Sequence, residues 1–355
     1  MVEDTLRALG DLAAFHRARW GGKVVGITGS VGKTTTKELC RAGLEATGAC
    51  VLATAGNLNN RIGVPMTLFG LSAAHSVAVI EMGTSEPGEI ERLAAIAKPD
   101  VGVVLQVAEA HTAGLPSLDS VADEKTALFR ALGPSHVAIA NADDARIMGR
   151  VPAAGPHVLT FGAAEAADFR LIASTLEERG TRLDVRMPDG QTLSLTLRLF
   201  GEAAAIDATA ALAVAAALDV PSGEFALGLS RVGPSPGRIE PKDGRGEVLV
   251  LDDTYNANPR SMRAALLTAA EVRAIRGGRL IVALGDMKEL GNISTEAHRD
   301  IGRLVAEIAP AAFIAVGAEM SAAAEEATRA GIEVRRAADS TEAARVALAL
   351  VRAHD

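Results

Sequence analysis

Cysteine is scarce in this chain of 355 residues: Cys40 and Cys50 stand with nine residues between them and no CxxC pair or Cys/His cluster nearby. That spacing indicates neither a disulfide framework nor a zinc site, and a reducing, cytoplasmic setting is expected. Long apolar runs are also missing. The opening MVEDTLRALGDLAAFHRARW lacks the basic-then-apolar order of a signal peptide. The longest candidate span, ATAALAVAAALDV from Ala208, closes at Asp219, short of the roughly 18 residues a membrane helix needs, and reads as a helix packed inside a domain. Nor is there an excess of positive charge. With 36 Lys plus Arg against 44 Asp plus Glu, the net charge is -8, which argues against a broad basic surface for nucleic acid or anionic lipid. Any phosphate must be gripped locally.

What is present is an alternation of strands and helices. Leu6, Leu9, Leu12 and Phe15 recur at helical spacing, so residues 4–19 read as a leading helix ended by Gly21 and Gly22. KVVGIT, CVLAT, SVAVIEM, VGVVLQV and HVAIAN are short runs rich in Val and Ile, separated by helical stretches. Such a pattern predicts a parallel sheet covered on both faces, with ligands beyond the carboxyl ends of its strands. Between Asp168 and Leu199 the residues alternate around Pro188-Asp189-Gly190, predicting a small antiparallel addition, after which two helices return. The Gly- and Pro-rich segment Val232–Gly246 predicts a boundary, with a fresh βαβα pattern opening at EVLVLDD. The expected organisation is a leading helix in 1–22, a central domain in 23–240 and a C-terminal domain in 241–355 whose last residues look helical.

The strongest local signal runs from Gly26 to Thr36, GITGSVGKTTT, between a strand and the helical run KELCRAGLEA. Glycines let backbone N–H groups turn toward a phosphate, Lys33 neutralises it and Thr34 offers a hydroxyl to Mg²⁺. Ile27 stands where the strict motif has its first glycine. Glu81 ends an apolar strand and is placed like a magnesium ligand, although an acid before a Met-Gly turn also serves as a cap. His111 follows another strand, where a loop histidine is either a ligand or merely exposed. By spacing alone Lys125 is one more helix lysine. Asp252–Pro259, DDTYNANP, is a polar cluster with an aromatic between a strand and a helix, suited to binding as well as to turn and cap duty.

Taken in order, TGSVGKTTTKE, NLNNRIGVPMTL, VIEMGTSEPGEI, AHTAG, EKTALF, PGRIE, DDTYNANP and LGDMKELG make the chain resemble the Mur ligase family. The last two blocks favour its branch that joins D-alanyl-D-alanine to UDP-N-acetylmuramoyl-tripeptide in peptidoglycan precursor synthesis. The resemblance implies a P-loop-type, mostly parallel ATP-binding α/β domain followed by a smaller Rossmann-like one. It implies a cytoplasmic, monomeric, ATP-dependent amide ligase acting through an acyl phosphate. It assigns Thr28, Gly29, Ser30, Val31, Gly32, Lys33, Thr34, Thr35, Arg238, Asp253, Tyr255 and Asn256 to ATP, and Asn59, Asn60 and Asn258 to substrate. Two Mg²⁺ sites follow: Thr34 with Glu81, and His111 with a carbamylated Lys125. Lys33, Glu81, His111 and Lys125 carry the catalysis.

The chain also departs from the family. Its uridine-binding domain is not seen before Thr28 and its Lys-Gly-Ser-Arg segment is not visible, so both ends are expected to be trimmed, with the uridine-binding function supplied separately. The family's G-x-H-N-x-x-N-A block reads Gly201-Glu202-Ala203-Ala204-Ala205-Ile206-Asp207-Ala208 here. These departures keep two other readings open: a folylpolyglutamate-synthase-like ligase, against which DDTYNANP and LGDMKELG argue, and a non-catalytic ATP-binding scaffold.

Overall fold

The computed structural model describes residues 1–108, 115 and 117–355. The chain runs α1 (Thr5–Ala18), β1 (Lys23–Thr28), α2 (Lys33–Ala46), β2 (Val51–Ala53), α3 (Gly63–Leu68), β3 (Val77–Glu81), α4 (Glu89–Ala97), β4 (Val101–Val104) and α5 (Leu118–Arg130). Then follow β5 (Val137–Asn141), α6 (Ala145–Met148), β6 (His157–Gly162), β7 (Phe169–Glu177), β8 (Gly180–Arg186), β9 (Thr192–Leu197), α7 (Glu202–Ala217) and α8 (Ser222–Leu229). The remainder is β10 (Glu240–Asp243), β11 (Leu249–Asp252), α9 (Pro259–Arg276), β12 (Ile281–Gly285), α10 (Ser294–Ile308), β13 (Ala312–Val316), α11 (Ser321–Arg329), β14 (Val334–Ala337) and α12 (Ser340–Leu350).

Among the described residues the first nine strands form one sheet in the order β2-β3-β1-β4-β5-β6-β7-β8-β9. It is parallel from β2 to β7 and antiparallel beyond. Alternate residues feed two cores. Val25, Ile27, Val79 and Ile139 face α2, α7 and α8, whereas Val24, Ala78, Ile80 and Ala138 face α3, α4 and α5. The order reverses at β1, which pairs β3 on one side and β4 on the other. The crevice at its carboxyl end is therefore the natural ligand site.

Three expectations need correction. The antiparallel segment is not a separate addition, because β6, absent from the sequence reading, carries the sheet on to β7. The run EVLVLDD does not open a parallel sheet. Gly244 N–H donates to Val248 O at 2.7 Å, which reverses the chain and pairs β11 antiparallel with β10. The C-terminal parallel sheet is instead β12-β13-β14, packed with Met262, Leu266, Leu304 and Val305 from α9 and α10. Finally, residues 351–355 have left the helix: the Asp355 carboxylate accepts from Arg279 at 2.6 Å and its carbonyl accepts from Leu249 N–H. Among the described residues no helix is long and apolar enough to cross a membrane.

Glycine permits the closest helix contact beneath the site. The backbones of α2 and α8 meet so tightly that a Cβ at Gly228 would overlap the Ala42 carbonyl oxygen, while one at Gly43 would lie 2.6 Å from the Phe225 ring. Overpacking of this kind costs about 1–3 kcal/mol. Gly228→Ala is therefore expected to lower the melting temperature by several degrees, and an unchanged thermal transition would show that the pair of helices yields freely.

Candidate phosphate-binding cleft

Gly29, with φ 159°, and Gly32, with φ 86°, bend the segment between β1 and α2 so that Gly32 caps the helix without a side chain. The N-terminal N–H groups of α2 and its dipole are left for an anion. Lys33 folds back over this loop, its Nζ donating to Gly29 O at 2.7 Å and to Ser30 O at 3.4 Å. Burial lowers its pKa and Arg238 adds to the effect, while Glu81 opposes it. Ser30 Oγ both donates to Ala108 O and accepts from Ala108 N–H, tying the loop to the segment after β4.

Beside the loop, Glu81 is 2% exposed at the end of β3. Its Oε2 accepts from the Thr34 hydroxyl at 3.0 Å and its Oε1 accepts from Asn59 Nδ2 at 2.8 Å. Arg238 reaches the same hydroxyl from the other side, Nη2 donating to Thr34 Oγ1 at 3.2 Å, with its guanidinium 4.2 Å above the Tyr255 ring. Asp253 Oδ1 accepts from Ile239 N–H at 3.1 Å and so holds the Arg238 turn. These residues line one cleft of about 1260 Å³ that continues between α7 and α9 to α10.

Lys125 lies on the floor of that cleft, 2% exposed, and among the described residues no hydrogen bond partners its amine. Burial pushes its pKa down to about 7, the nearby Lys33 ammonium pushes the same way and Glu124 opposes them. An amine shifted this far has a neutral form accessible near physiological pH, the form in which an amine can act as a nucleophile. His111 lies outside the described residues. Among those described, no three His, Cys, Asp or Glu side chains converge as a metal cluster.

Several residues expected at ligand also bond the frame, and of these Asn60, Asn256 and Asn258 line the cleft while Thr28 does not. Thr28 is fully buried and its hydroxyl donates to Met82 O. Asn60 Oδ1 accepts from Ile62 and Gly63 N–H and turns the chain into α3. Asn258 lines the cleft, yet its Oδ1 caps α9 through Arg260 and Ser261 N–H. Asn256 Oδ1 accepts from Ala257 N–H. LGDMKELG lies outside the cleft: Asp286 holds Met320 N–H and His298 holds Met287 N–H, closing the C-terminal core.

Asp207 belongs to the altered Gly201–Ala208 block, and Glu124 was silent in sequence. Asp207 projects from α7 against the phosphate loop, so close that a Cβ on Gly32 would overlap its carboxylate. Burial pushes its pKa up to about 8, against the pull of Thr36 and Arg238.

The arrangement defines a class: a parallel α/β protein whose phosphate loop opens at a sheet reversal and is overhung by a second α/β unit. Comparison with known proteins narrows it. Residues 27–215 match the Mur ligase middle domain and residues 237–355 the Mur ligase glutamate ligase domain. The chain belongs to the Mur ligase family. It is 36% identical to the UDP-N-acetylmuramoyl-tripeptide--D-alanyl-D-alanine ligase of Escherichia coli over 85% of its own length and 66% of the relative's. It is 37% identical to the Synechocystis enzyme of that name, over 86% and 64%. The chain thus spans slightly under two thirds of these relatives. The MurF structure from Acinetobacter baumannii superposes with a TM-score of 0.91 at 34% identity, covering 100% of this chain and 76% of that one. MurF from Thermotoga maritima, in complex with ADP, gives 0.87 at 27%, covering 100% and 80%.

The Asp207 carboxyl titrates higher folded than its ordinary 3.8, so it costs nothing in acid and destabilises increasingly as pH rises from about 4 to about 8. Asp207→Asn cannot ionise. Its melting temperature is expected to exceed the parent's at pH 8 and to converge with it near pH 4; a difference independent of pH would refute the assignment.

Proposed function

We propose that this chain is an ATP-dependent amide ligase that joins D-alanyl-D-alanine to UDP-N-acetylmuramoyl-tripeptide. The observation that carries the reading is the convergence of Lys33, Thr34, Glu81, Arg238 and a buried Lys125 on one cleft. The relatives named above are ligases of this specificity. In this reading residues 23–240 hold ATP and residues 241–355 close over it. The tripeptide carboxylate forms an O–P bond to the γ phosphorus of ATP as the bond to ADP breaks. The D-alanyl-D-alanine amine then forms the C–N bond, losing a proton as phosphate departs.

This chain's own residues bind and neutralise. The N–H groups of residues 29–35 and the Lys33 ammonium receive phosphate oxygens, and Arg238 with Tyr255 brackets the nucleotide from the junction. Thr34 and Glu81 are a hard-oxygen pair 3.0 Å apart, suited to one Mg²⁺, which holds few protein ligands and keeps water and phosphate oxygens. The chemistry such a cation supplies is neutralisation of charge on the transferring group. Asn59 orients Glu81. The buried Lys125 amine suits addition of CO₂, in which the N–C bond forms as one C=O π bond opens and the nitrogen releases a proton to solvent; the resulting carbamate with His111 would provide oxygen and nitrogen donors for a second cation. A cleft between two units excludes water from a reactive acyl phosphate.

The deciding assay is ADP release with ATP, Mg²⁺, the UDP-N-acetylmuramoyl-tripeptide and D-alanyl-D-alanine, omitting each acceptor in turn. Release that needs both supports the reading; binding of nucleotide with no acceptor-dependent release points to a scaffold. Lys33→Ala is expected to lower turnover on the order of 100-fold or more, and full turnover would remove the loop from the mechanism. Lys125→Ala should also lose activity and regain part of it with small carboxylic acids, while the parent should respond to bicarbonate. Insensitivity to both would take Lys125 out of the cation site.

A further inference from the structure

Glu124 sits one residue before Lys125 on α5, is 6% exposed, and collects three donors from a single turn. Its Oε1 accepts from Ile90 N–H at 2.7 Å and from the Thr84 hydroxyl at 3.2 Å, and its Oε2 accepts from Gly88 N–H at 2.6 Å. Gly88, with φ 85°, caps α4 without a side chain of its own. Two N–H groups at that helix end, those of Gly88 and Ile90, are therefore satisfied from another helix, by an anion placed where the dipole favours one. Bonds from backbone N–H to a buried carboxylate are among the stronger ones a fold makes.

The turn so held is a wall of the cleft. Gly83, Thr84 and Ser85 line it, one residue beyond Glu81. Gly83 N–H donates to Asn59 O at 2.8 Å, which joins this wall to the segment that orients Glu81. Successive helix residues point about 100° apart, so one turn of α5 presents Lys125 to the cleft and Glu124 to α4.

We propose that Glu124 is a positioning residue for the ligase reaction: it fixes the Glu81–Thr84 wall relative to Lys125, so that the acceptor carboxylate is held in line with the phosphoryl group. The inference rests on the function proposed above. Misplacing a wall of the site lowers the rate of the bound complex without touching the phosphate loop.

The test uses the full chain with Glu124→Gln, which keeps the shape but sets an NH₂ against an N–H donor, and Glu124→Asp, which keeps the charge on a shorter arm. ADP affinity with Mg²⁺ is measured by calorimetry, kcat and KM for ATP by acceptor-dependent ADP release, and exchange of the Gly88 and Ile90 amides by hydrogen–deuterium exchange. E124Q is expected to bind ADP within about twofold of the parent, exchange those two amides at least tenfold faster, and lose 30-fold or more in kcat with KM for ATP little changed. E124D should fall between E124Q and the parent. If E124Q does not fold, E124D with unchanged ADP affinity and a kcat at least threefold below the parent's supports the proposal, and E124D with the parent's kcat overturns it. Faster exchange with an unchanged kcat, or a fall in kcat matched by lost ADP affinity, overturns it. A parent with no acceptor-dependent release overturns the ligase reading itself and this proposal with it; an active parent and an equally active E124Q overturn this proposal alone.

Discussion

The Thr34 hydroxyl is the point on which the cleft depends. It donates to Glu81 from one side and accepts from Arg238 on the other. One small side chain at the start of α2 thus joins the phosphate loop, the end of β3 and the junction with the C-terminal unit, segments separated by 47 and 204 positions in sequence. A hydroxyl suits this place because it is donor and acceptor at once. A carboxylate and a guanidinium can then share a partner without collapsing onto one another across the space a phosphate needs.

The surrounding electrostatics follow from that compromise. An anion-binding loop gathers positive charge, and two lysines in one cleft cannot both stay fully protonated at low cost. Burial lowers the pKa of both: Lys33, bonded to loop carbonyls, is pulled back by Glu81, and Lys125, beside Glu124, is pushed down to about 7. Asp207 shows the mirror case, a carboxyl held beside the loop where ionisation is disfavoured. Burial in the cleft thus moves a lysine down and a carboxyl up until Lys125 and Asp207 both titrate near neutral pH.

Local chemistry was legible in the sequence where it is carried by local geometry. The strand, glycines and helix from Lys23 to Ala46 announce the loop, and Glu81 is revealed by its place at a strand end. Lys125 was not legible from spacing, because burial of one helix lysine depends on what the rest of the chain stacks over it. Glu124 was silent for the same reason: its partners lie 34 to 40 positions away, two of them backbone N–H groups. Strand β10 reads EPKD, with a proline and no β-branched residue, and exists because a hairpin partner and an edge position tolerate it. The asparagines show two duties at once: Asn60 and Asn258 line the cleft, and their side-chain oxygens also bond the backbone nearest to them.

Helix α7 has a consequence of its own. Alanines 204, 205, 208, 210, 211, 213 and 215 are all buried, so the helix is enclosed on nearly every side and lies against the sheet and α2 with almost no side chain between. A surface helix can drift through many neutral sequences, but this one has few affordable exchanges, since each larger residue meets neighbours with nowhere to move. Descent with modification in this protein is therefore channelled away from α7 and toward its N-terminal edge. There Glu202, Ala203 and Ile206 face the open cleft, and a change alters what the protein meets rather than whether it folds.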